Sequence, residues 1–428
     1  MSTTPTKARY VVTAFAVTLA VITYVDRVGI SQALPDIRKD LGLTTIQATW
    51  TLSVFAWAYA VFEIPGGWMG DRIGPRRVLM RIVLWWSLFT AATGWAWNGG
   101  SLILTRALFG AGEAGAFPNL TRMLTTWLPV KERERAQALV WLATRISGAF
   151  TPLLVTLLIQ AVGWRRTFEI FGAIGALWAI VFFRWYRDQP SQHPAVNAAE
   201  LALLPPARET AIAEAGVPWG VIFSNRHVWL LSFQYMCLAY GWWFYINWLP
   251  SYLRGARGTS VTFGAVLAGL PLLLGGAGCL ISAAVVPRLS ARLGSVSAAR
   301  RVVATTGFLG ASACIIIFTR IDDPVRAMFV LGMAGFFNDF IMPVAWASTM
   351  DIGGRYAGTV SGAMNTLGSV AGALSVTVVG YLLVWTGNNW TLTFYISAAI
   401  YLLGAVCWQF LDSHTPVEGM AAQRAAAA

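Results

Sequence analysis

Glu113 and Arg106 lie seven residues apart in one apolar run, and the adjacent pair Asp26-Arg27 interrupts another such run near the N-terminus. A charge at the centre of a bilayer costs roughly 2.5–3.5 kcal/mol on insertion scales and by default marks a solute or proton path. A carboxylate in mid-span is a group whose proton affinity changes with access and with neighbouring charge. A guanidinium stays charged throughout and offers planar, bidentate hydrogen bonding to an acid group. The chemistry on offer is therefore reversible proton binding at Asp26 and Glu113 and anion holding at Arg27. Seven residues make two turns, so Glu113 and Arg106 share a helix face about 10 Å apart along the axis, and a plain structural ion-pair network is the competing reading. Asp26 and Arg27 project about 100° apart. Arg27 is expected to face a cavity and Asp26 a neighbouring helix, with an interhelical clamp as the alternative.

Other polar residues in apolar runs are less specific. Arg145 reads either as a ligand for an anion or as a charge that neutralises Glu113 or Asp26. In Asn338-Asp339, Asn338 is expected in the cavity and Asp339 reads equally well as a structural partner for a polar group of the C-terminal half. Glu63 reads as structural. His193, His227 and His414 fall in a linker, at a span edge and in the tail, which leaves carboxylates to carry protons. Cys237, Cys279, Cys314 and Cys407 sit singly within expected spans, with no CxxC or His spacing, so neither metal nor disulfide is implied. There is no GxxxxGK[ST] loop and no HExxH, so neither a nucleotide-driven pump nor a zinc protease is expected. The driving force is expected to be a proton gradient, with no cofactor and no enzymatic activity.

The elements that must position these residues are membrane helices. The chain is 57% hydrophobic and only 12% charged, where a soluble chain carries about a quarter charged residues. Twelve runs are long and apolar enough to span: 11–33, 47–69, 78–98, 101–126, 136–161, 167–186, 227–252, 262–286, 300–319, 324–349, 357–384 and 391–411. They are continuous in Leu, Ala, Val and Trp and lack the alternation of barrel strands. The first holds Asp26 and Arg27 and no cleavage site, so it is not expected to be a signal peptide. The expectation is an all-α membrane protein of twelve transmembrane helices in two pseudo-symmetric six-helix halves, 1–186 and 227–428. The linker 187–226 between them is expected to carry a short surface helix over 196–213.

The net charge of +12 follows orientation rather than a nucleic-acid footprint. Lys7, Arg9, Arg72, Arg76, Arg77, Lys131, Arg133, Arg135, Arg300 and Arg301 fall on one side, against Arg38, Lys39, Arg165, Arg166 and Arg320 on the other. That bias places both termini in the cytoplasm of a multi-pass protein of an inner or plasma membrane. The partners expected are the bilayer and a small organic anion, no nucleic acid, and no second copy of the chain.

The halves repeat weakly. Pro118 follows Glu113 by five residues and Pro343 follows Asn338 by five; Arg135 precedes Arg145 by ten and Arg355 precedes Asn365 by ten. Parallel six-helix repeats with a site near the midplane between them are one architecture of secondary transporters. The repeat aligns Asp26 with Gly241 and Glu113 with Asn338, so titratable carboxylates belong to the first half and neutral hydrogen-bonding groups to the second.

The loop Gly67-Trp68-Met69-Gly70-Asp71-Arg72-Ile73-Gly74-Pro75-Arg76-Arg77 resembles the GxxxDRxGxRR loop of the major facilitator superfamily. In it Gly67 and Gly74 permit close approach and a tight turn, Asp71 can pair across the cytoplasmic face, and Arg72, Arg76 and Arg77 stay inside. Its counterpart Pro287–Gly294 lacks the acidic residue and is not expected to act as the same gate. Further stretches, Tyr24-Val25-Asp26-Arg27, Phe55-Ala56-Trp57-Ala58-Tyr59, Ile64-Pro65-Gly66-Gly67-Trp68, Arg106 through Ala114 and Trp127-Leu128-Pro129, are similar to the anion:cation symporter family, whose bacterial members include hexonate and hexuronate transporters. The resemblance covers residues 10 to 411. It implies proton-coupled uptake of an organic carboxylate, a sugar acid first of all. It further implies Asp26 and Glu113 as protonation sites, Arg106 as a charge partner on the proton path, and Arg27, Tyr59, Trp346 and Asn365 as substrate contacts. Where sugar-acid members place a glutamine-type hydrogen-bonder in the fifth span, this chain has Thr144-Arg145, which points to a dicarboxylate or another cargo unlike a simple hexonate. A proton-coupled exporter or exchanger of another metabolite or drug is the rival, and the arginines argue against cationic cargo.

Overall fold

A computed structural model describes residues 4–205, 219–255 and 270–417. Its helices are α1 (Ala8–Leu41), α2 (Thr45–Ile73), α3 (Pro75–Gly94), α4 (Gly99–Glu113), α5 (Ala116–Trp127), α6 (Val130–Trp185), α7 (Ala198–Leu201), α8 (Trp219–Phe223), α9 (Arg226–Gly255), α10 (Leu270–Leu293), α11 (Val296–Phe318), α12 (Pro324–Gly353), α13 (Ala357–Trp385) and α14 (Trp390–Phe410). Among the described residues there is no strand. Of the surface helix expected over 196–213, the described part holds the single turn α7; residues from 206 on lie outside the described residues.

Local chemistry sets the helix ends. Thr44 and Gln47 form a capping box at the start of α2, and Asn98 and Ser101 form one at the start of α4; each box satisfies backbone donors that the first turn leaves unpaired. Asp323 accepts from the Arg326 amide ahead of Pro324, the first residue of α12. One helix boundary differs from those expected. The fourth span breaks into α4 and α5 at Ala114-Gly115, with Gly115 at φ 83°. A Cβ on Gly115 would stand 2.6 Å from the Cα of Gly66, so α2 and the break cross backbone to backbone and only glycine fits. Glu113 is thereby the last residue of α4 rather than a mid-helix residue. The fifth and sixth spans follow one another in α6, and Gly163 (φ 79°, ψ 161°) makes the turn between them, in the gap that separates 136–161 from 167–186.

The chain forms two compact units. The first holds the described residues of Met1–Val130, Ser147–Val217 and Arg355–Gly362; the second holds those of Lys131–Ile146, Pro218–Gly354 and Ala363–Ala428. In the first, α2 and α3 pack on α4 and α5, and α1 packs on α5. Its core includes Ile30, Ala33, Ile37, Leu102, Trp164 and Phe168. In the second, α12 packs on α10 and α11, and α14 packs on α9 and α11.

Both units turn large apolar side chains outward: Trp57, Phe150 and Leu177 in the first, Leu273, Leu403 and Phe410 in the second, each about 60% exposed or more. Soluble monomers rarely show contiguous apolar surface of this kind. Helices α1, α6, α10, α11 and α14 are long and apolar enough to cross a bilayer, and these side chains are what such helices show to lipid.

Candidate functional site

In the first unit, α1 brings Asp26 and Arg27 to α4, which carries Arg106 and Glu113. The Arg27 Nε–H donates to Glu113 Oε1. Its guanidinium lies among four rings, with centroids at 4.6 Å (Tyr59), 5.5 Å (Phe55), 5.7 Å (Phe117) and 5.9 Å (Tyr24). Aromatic faces attract a guanidinium by cation–π interaction and keep its plane ordered. Arg27 keeps 23% of its side chain exposed while Glu113 has none, so Arg27 is the more exposed member of the pair. The Tyr59 hydroxyl donates to Glu63 Oε1 at 3.3 Å, which ties the cage to a buried acid on the same helix.

Asp26 and Arg106 are each 2% exposed. Arg106 interacts electrostatically with both Asp26 and Glu113 and rests on the ring of Phe109 at 4.4 Å. Asp26 also lies beside the Trp86 indole. Two acids and two guanidiniums thus share one buried cluster. With all four groups ionised its charges sum to zero.

In the second unit, Arg145 of α6 meets Asp339 of α12, by Nε to Oδ2 at 2.5 Å and by a terminal nitrogen to Oδ1 at 2.7 Å. The acid that Arg145 meets is thus Asp339. The guanidinium stacks on Trp242 at 3.7 Å and flanks Trp141 at 5.9 Å. Asn338 donates to Asp339 Oδ1 at 3.0 Å and accepts from the Tyr401 hydroxyl at 2.7 Å. At Gly241, the repeat partner of Asp26, a Cβ would stand 2.3 Å from that hydroxyl. Trp346 is buried against Trp141 (5.4 Å) and Tyr235 (5.9 Å), and Asn365 sits half-buried on α13.

The Gly67–Arg77 stretch, helical in α2 and α3 on either side of Gly74, docks within the first unit. Asp71 accepts from the Gly358 amide (3.0 Å) and from the Thr359 amide and hydroxyl (2.6 Å each), so it caps the first turn of α13, where the helix dipole favours an anion. Arg122 stands 3.4 Å away. A Cβ on Gly67 would come within 2.2 Å of the Gly358 carbonyl oxygen. Arg76 donates its amide to Asp188 (2.9 Å) and its guanidinium to the Phe183 carbonyl. Gly74 has φ 96°, Arg72 lies over Trp68, and Arg77 is exposed. Burial pushes the Asp71 carboxyl up to about 6, against the opposing pull of Arg122 and the Thr359 and Gly358 hydrogen bonds.

A second ion cluster has no counterpart in the expectations above. Arg300 donates to Glu134 (2.5 and 2.8 Å) and to the Ser413 carbonyl (2.7 Å), and it pairs with Asp351 (2.7 Å). Asp351 also pairs with Arg133 and faces His414 at 3.5 Å. Burial alone would raise the Asp351 carboxyl, but Arg300, His414 and Arg133 outweigh it and hold the group well below the usual carboxylate range. The charge run Glu132–Arg135 was the visible signal, but sequence does not say what such a run meets. Among the described residues no group of His, Cys, Asp and Glu is placed to hold a metal.

A profile of the Major Facilitator Superfamily matches residues 16–376. The chain belongs to that superfamily. A Cupriavidus necator protein described as a probable sulfoacetate transporter is 38% identical over 408 residues, covering 95% of this chain and 94% of its own. The D-galactonate transporter of Escherichia coli O6:H1 is 30% identical over 420 residues (95% and 96%), and a probable galactarate/D-glucarate transporter of Bacillus subtilis is 30% identical over 397 (89% and 87%). These relatives agree with the anion:cation symporter resemblance. The crystal structure of the E. coli fucose:proton symporter superposes with a TM-score of 0.74 over 94% of this chain and 99% of its own, at 12% identity. At that identity the likeness shows the fold: the major facilitator architecture, which the helices described here fit. The protein is a multi-pass membrane transporter and not an enzyme.

Proposed function

We propose that this facilitator imports an organic carboxylate together with protons, by alternating access in an inner or plasma membrane, with both termini cytoplasmic and one chain sufficing. The observation that carries the reading is the pairing of Arg27 with Glu113 inside an aromatic cage, beside Asp26 and Arg106. Arg27 is the anchor for the cargo carboxylate. When Glu113 takes a proton it no longer competes for the guanidinium, and the charge of the cargo replaces the charge of the glutamate. The buried cluster keeps the same net charge empty or loaded, which removes the penalty of moving an uncompensated ion through a low-dielectric interior. Asp26 relays the proton and Arg106 keeps the two acids apart in charge. Tyr59 of the first unit and Arg145, Asn338, Trp346 and Asn365 of the second are the further proposed contacts. The relatives named for galactonate, glucarate and sulfoacetate support an acid as cargo. Among these, sugar acids and a short sulfonated acid are the first to test.

The test uses purified protein in proteoliposomes with an imposed proton gradient. Glu113→Gln is expected to abolish gradient-driven accumulation of D-galactonate or sulfoacetate while sparing exchange of labelled for unlabelled substrate. Arg27→Ala is expected to lose binding altogether. Accumulation by Glu113→Gln at the wild-type level would refute the coupling role.

A further inference from the structure

The Arg27–Glu113 pair is not the only guanidinium–acid couple of its kind among the described residues. Arg145 and Asp339 are 3% and 0% exposed, deep in apolar helices, where an ionic pair is expensive and gives weak evidence of stabilisation. They reproduce the parts found around Arg27: a guanidinium laid on an aromatic face, Trp242 at 3.7 Å, and an acid on its donor edge. Two features let the acid let go. Asp339 has a support that does not depend on charge, the Asn338 amide at 3.0 Å, which is itself fixed by Tyr401. It also lies in a slot opened by Gly275, where a Cβ would stand 2.3 Å from Oδ2. Stacking on Trp242 holds the guanidinium in place whether or not Asp339 is ionised. The donor edge of Arg145 is already shaped for an acid group, because one occupies it.

Resting on the symport reading above, we propose that Arg145 and Asp339 form a second proton-exchange pair, in which an acid group of the cargo takes the place of Asp339 on Arg145. In the exchange the Asp339 carboxylate takes one proton from a hydronium ion of the bulk solution, one O–H bond forming as one breaks and leaving water, and its ionic contact with Arg145 is replaced by that of the incoming carboxylate or sulfonate. The pair is neutral before and after, so a cargo with one acid group leaves it closed and a cargo with two opens it. The favoured cargo is therefore a small anion with two acid groups, and the protons taken up follow the number of acid groups carried.

The experiment is isothermal titration of the purified full-length protein in two buffers of different protonation enthalpy. D-galactonate serves as the one-acid probe, and D-glucarate and sulfoacetate as the two-acid probes. In wild type, a two-acid probe is expected to take up about one proton more than galactonate, and its affinity is expected to rise about tenfold more per unit fall in pH. In Asp339→Asn the extra proton and the extra slope are expected to vanish. In the neutral double variant Arg145→Gln/Asp339→Asn, checked for monodispersity, the preference for two acids is expected to vanish as well. If galactonate binds with proton uptake while the two-acid probes add none or do not bind, the pair is a clamp and this proposal fails while the symport reading stands. If no probe brings a proton, the symport reading itself fails.

Discussion

Asp71 gives a pH dependence that can be worked from the structure. Its carboxyl is buried and holds the first turn of α13 through three hydrogen bonds. In that docked state its pKa is about 6, raised from 3.8 chiefly by burial; with α13 undocked and Asp71 in water it returns to the ordinary value. The docked state therefore binds more protons, and docking strengthens as pH falls. The contribution is fully present below about 3.8 and lost as pH rises through about 6. Between about pH 7.5 and about pH 5 the docking equilibrium should shift about tenfold, or about 1.4 kcal/mol. Hydrogen–deuterium exchange of the peptide covering 355–362 reads this directly, because the Gly358 and Thr359 amides are the donors. After correction for the intrinsic exchange rate, their protection factor should be about tenfold higher at the lower pH. In Asp71→Asn it should be lower throughout and flat with pH. Protection in wild type that is flat, or that rises toward alkaline pH, would refute the argument that burial dominates this carboxylate.

Gly67→Ala places a methyl group 2.2 Å from the Gly358 carbonyl, where backbone must move, so the same peptide should lose protection and the protein about 1–3 kcal/mol of stability. Tyr401→Phe deletes the 2.7 Å bond to Asn338 and should cost about 1–2 kcal/mol, read as a lower melting temperature of the detergent-purified protein; unchanged melting would mean that Asn338 finds another donor. Asp351→Asn leaves Arg300 and Arg133 short of a buried counter-charge and should cost about 3–5 kcal/mol. Because the Asp351 pKa is depressed, its stabilisation is present above the ordinary value of 3.8 and lost only as pH falls toward the depressed value. Melting of wild type should therefore show no Asp351 step between about pH 5 and about pH 8.

The charges that assemble in the first unit were legible because apolar helices tolerate so few of them; Asp26, Arg27, Arg106 and Glu113 were picked out as a group and the fold brings them together. The rings around Arg27 were not read from the residues, since aromatic residues are common throughout the chain and Phe55 and Phe117 look like packing until α2 and α5 are placed beside α1. The partner of Arg145 was beyond reach for a different reason. Asp339 lies 194 residues away, and periodicity reports which face a residue occupies, not which distant helix that face meets. The break at Ala114-Gly115 was likewise invisible, because a glycine needed for a close crossing reads in sequence like any small residue of a membrane helix.

The two compact units trade short pieces of chain: 131–146 belongs with the C-terminal helices, and 355–362 with the N-terminal ones. A gene cut at the linker would therefore yield two incomplete fragments. The leading fragment would carry Asp71 without the Gly358 and Thr359 amides, and the trailing one would carry Arg300 and Asp339 without Glu134 and Arg145. Each would strand ions inside grease when made alone, and co-expression would have to rescue both at once.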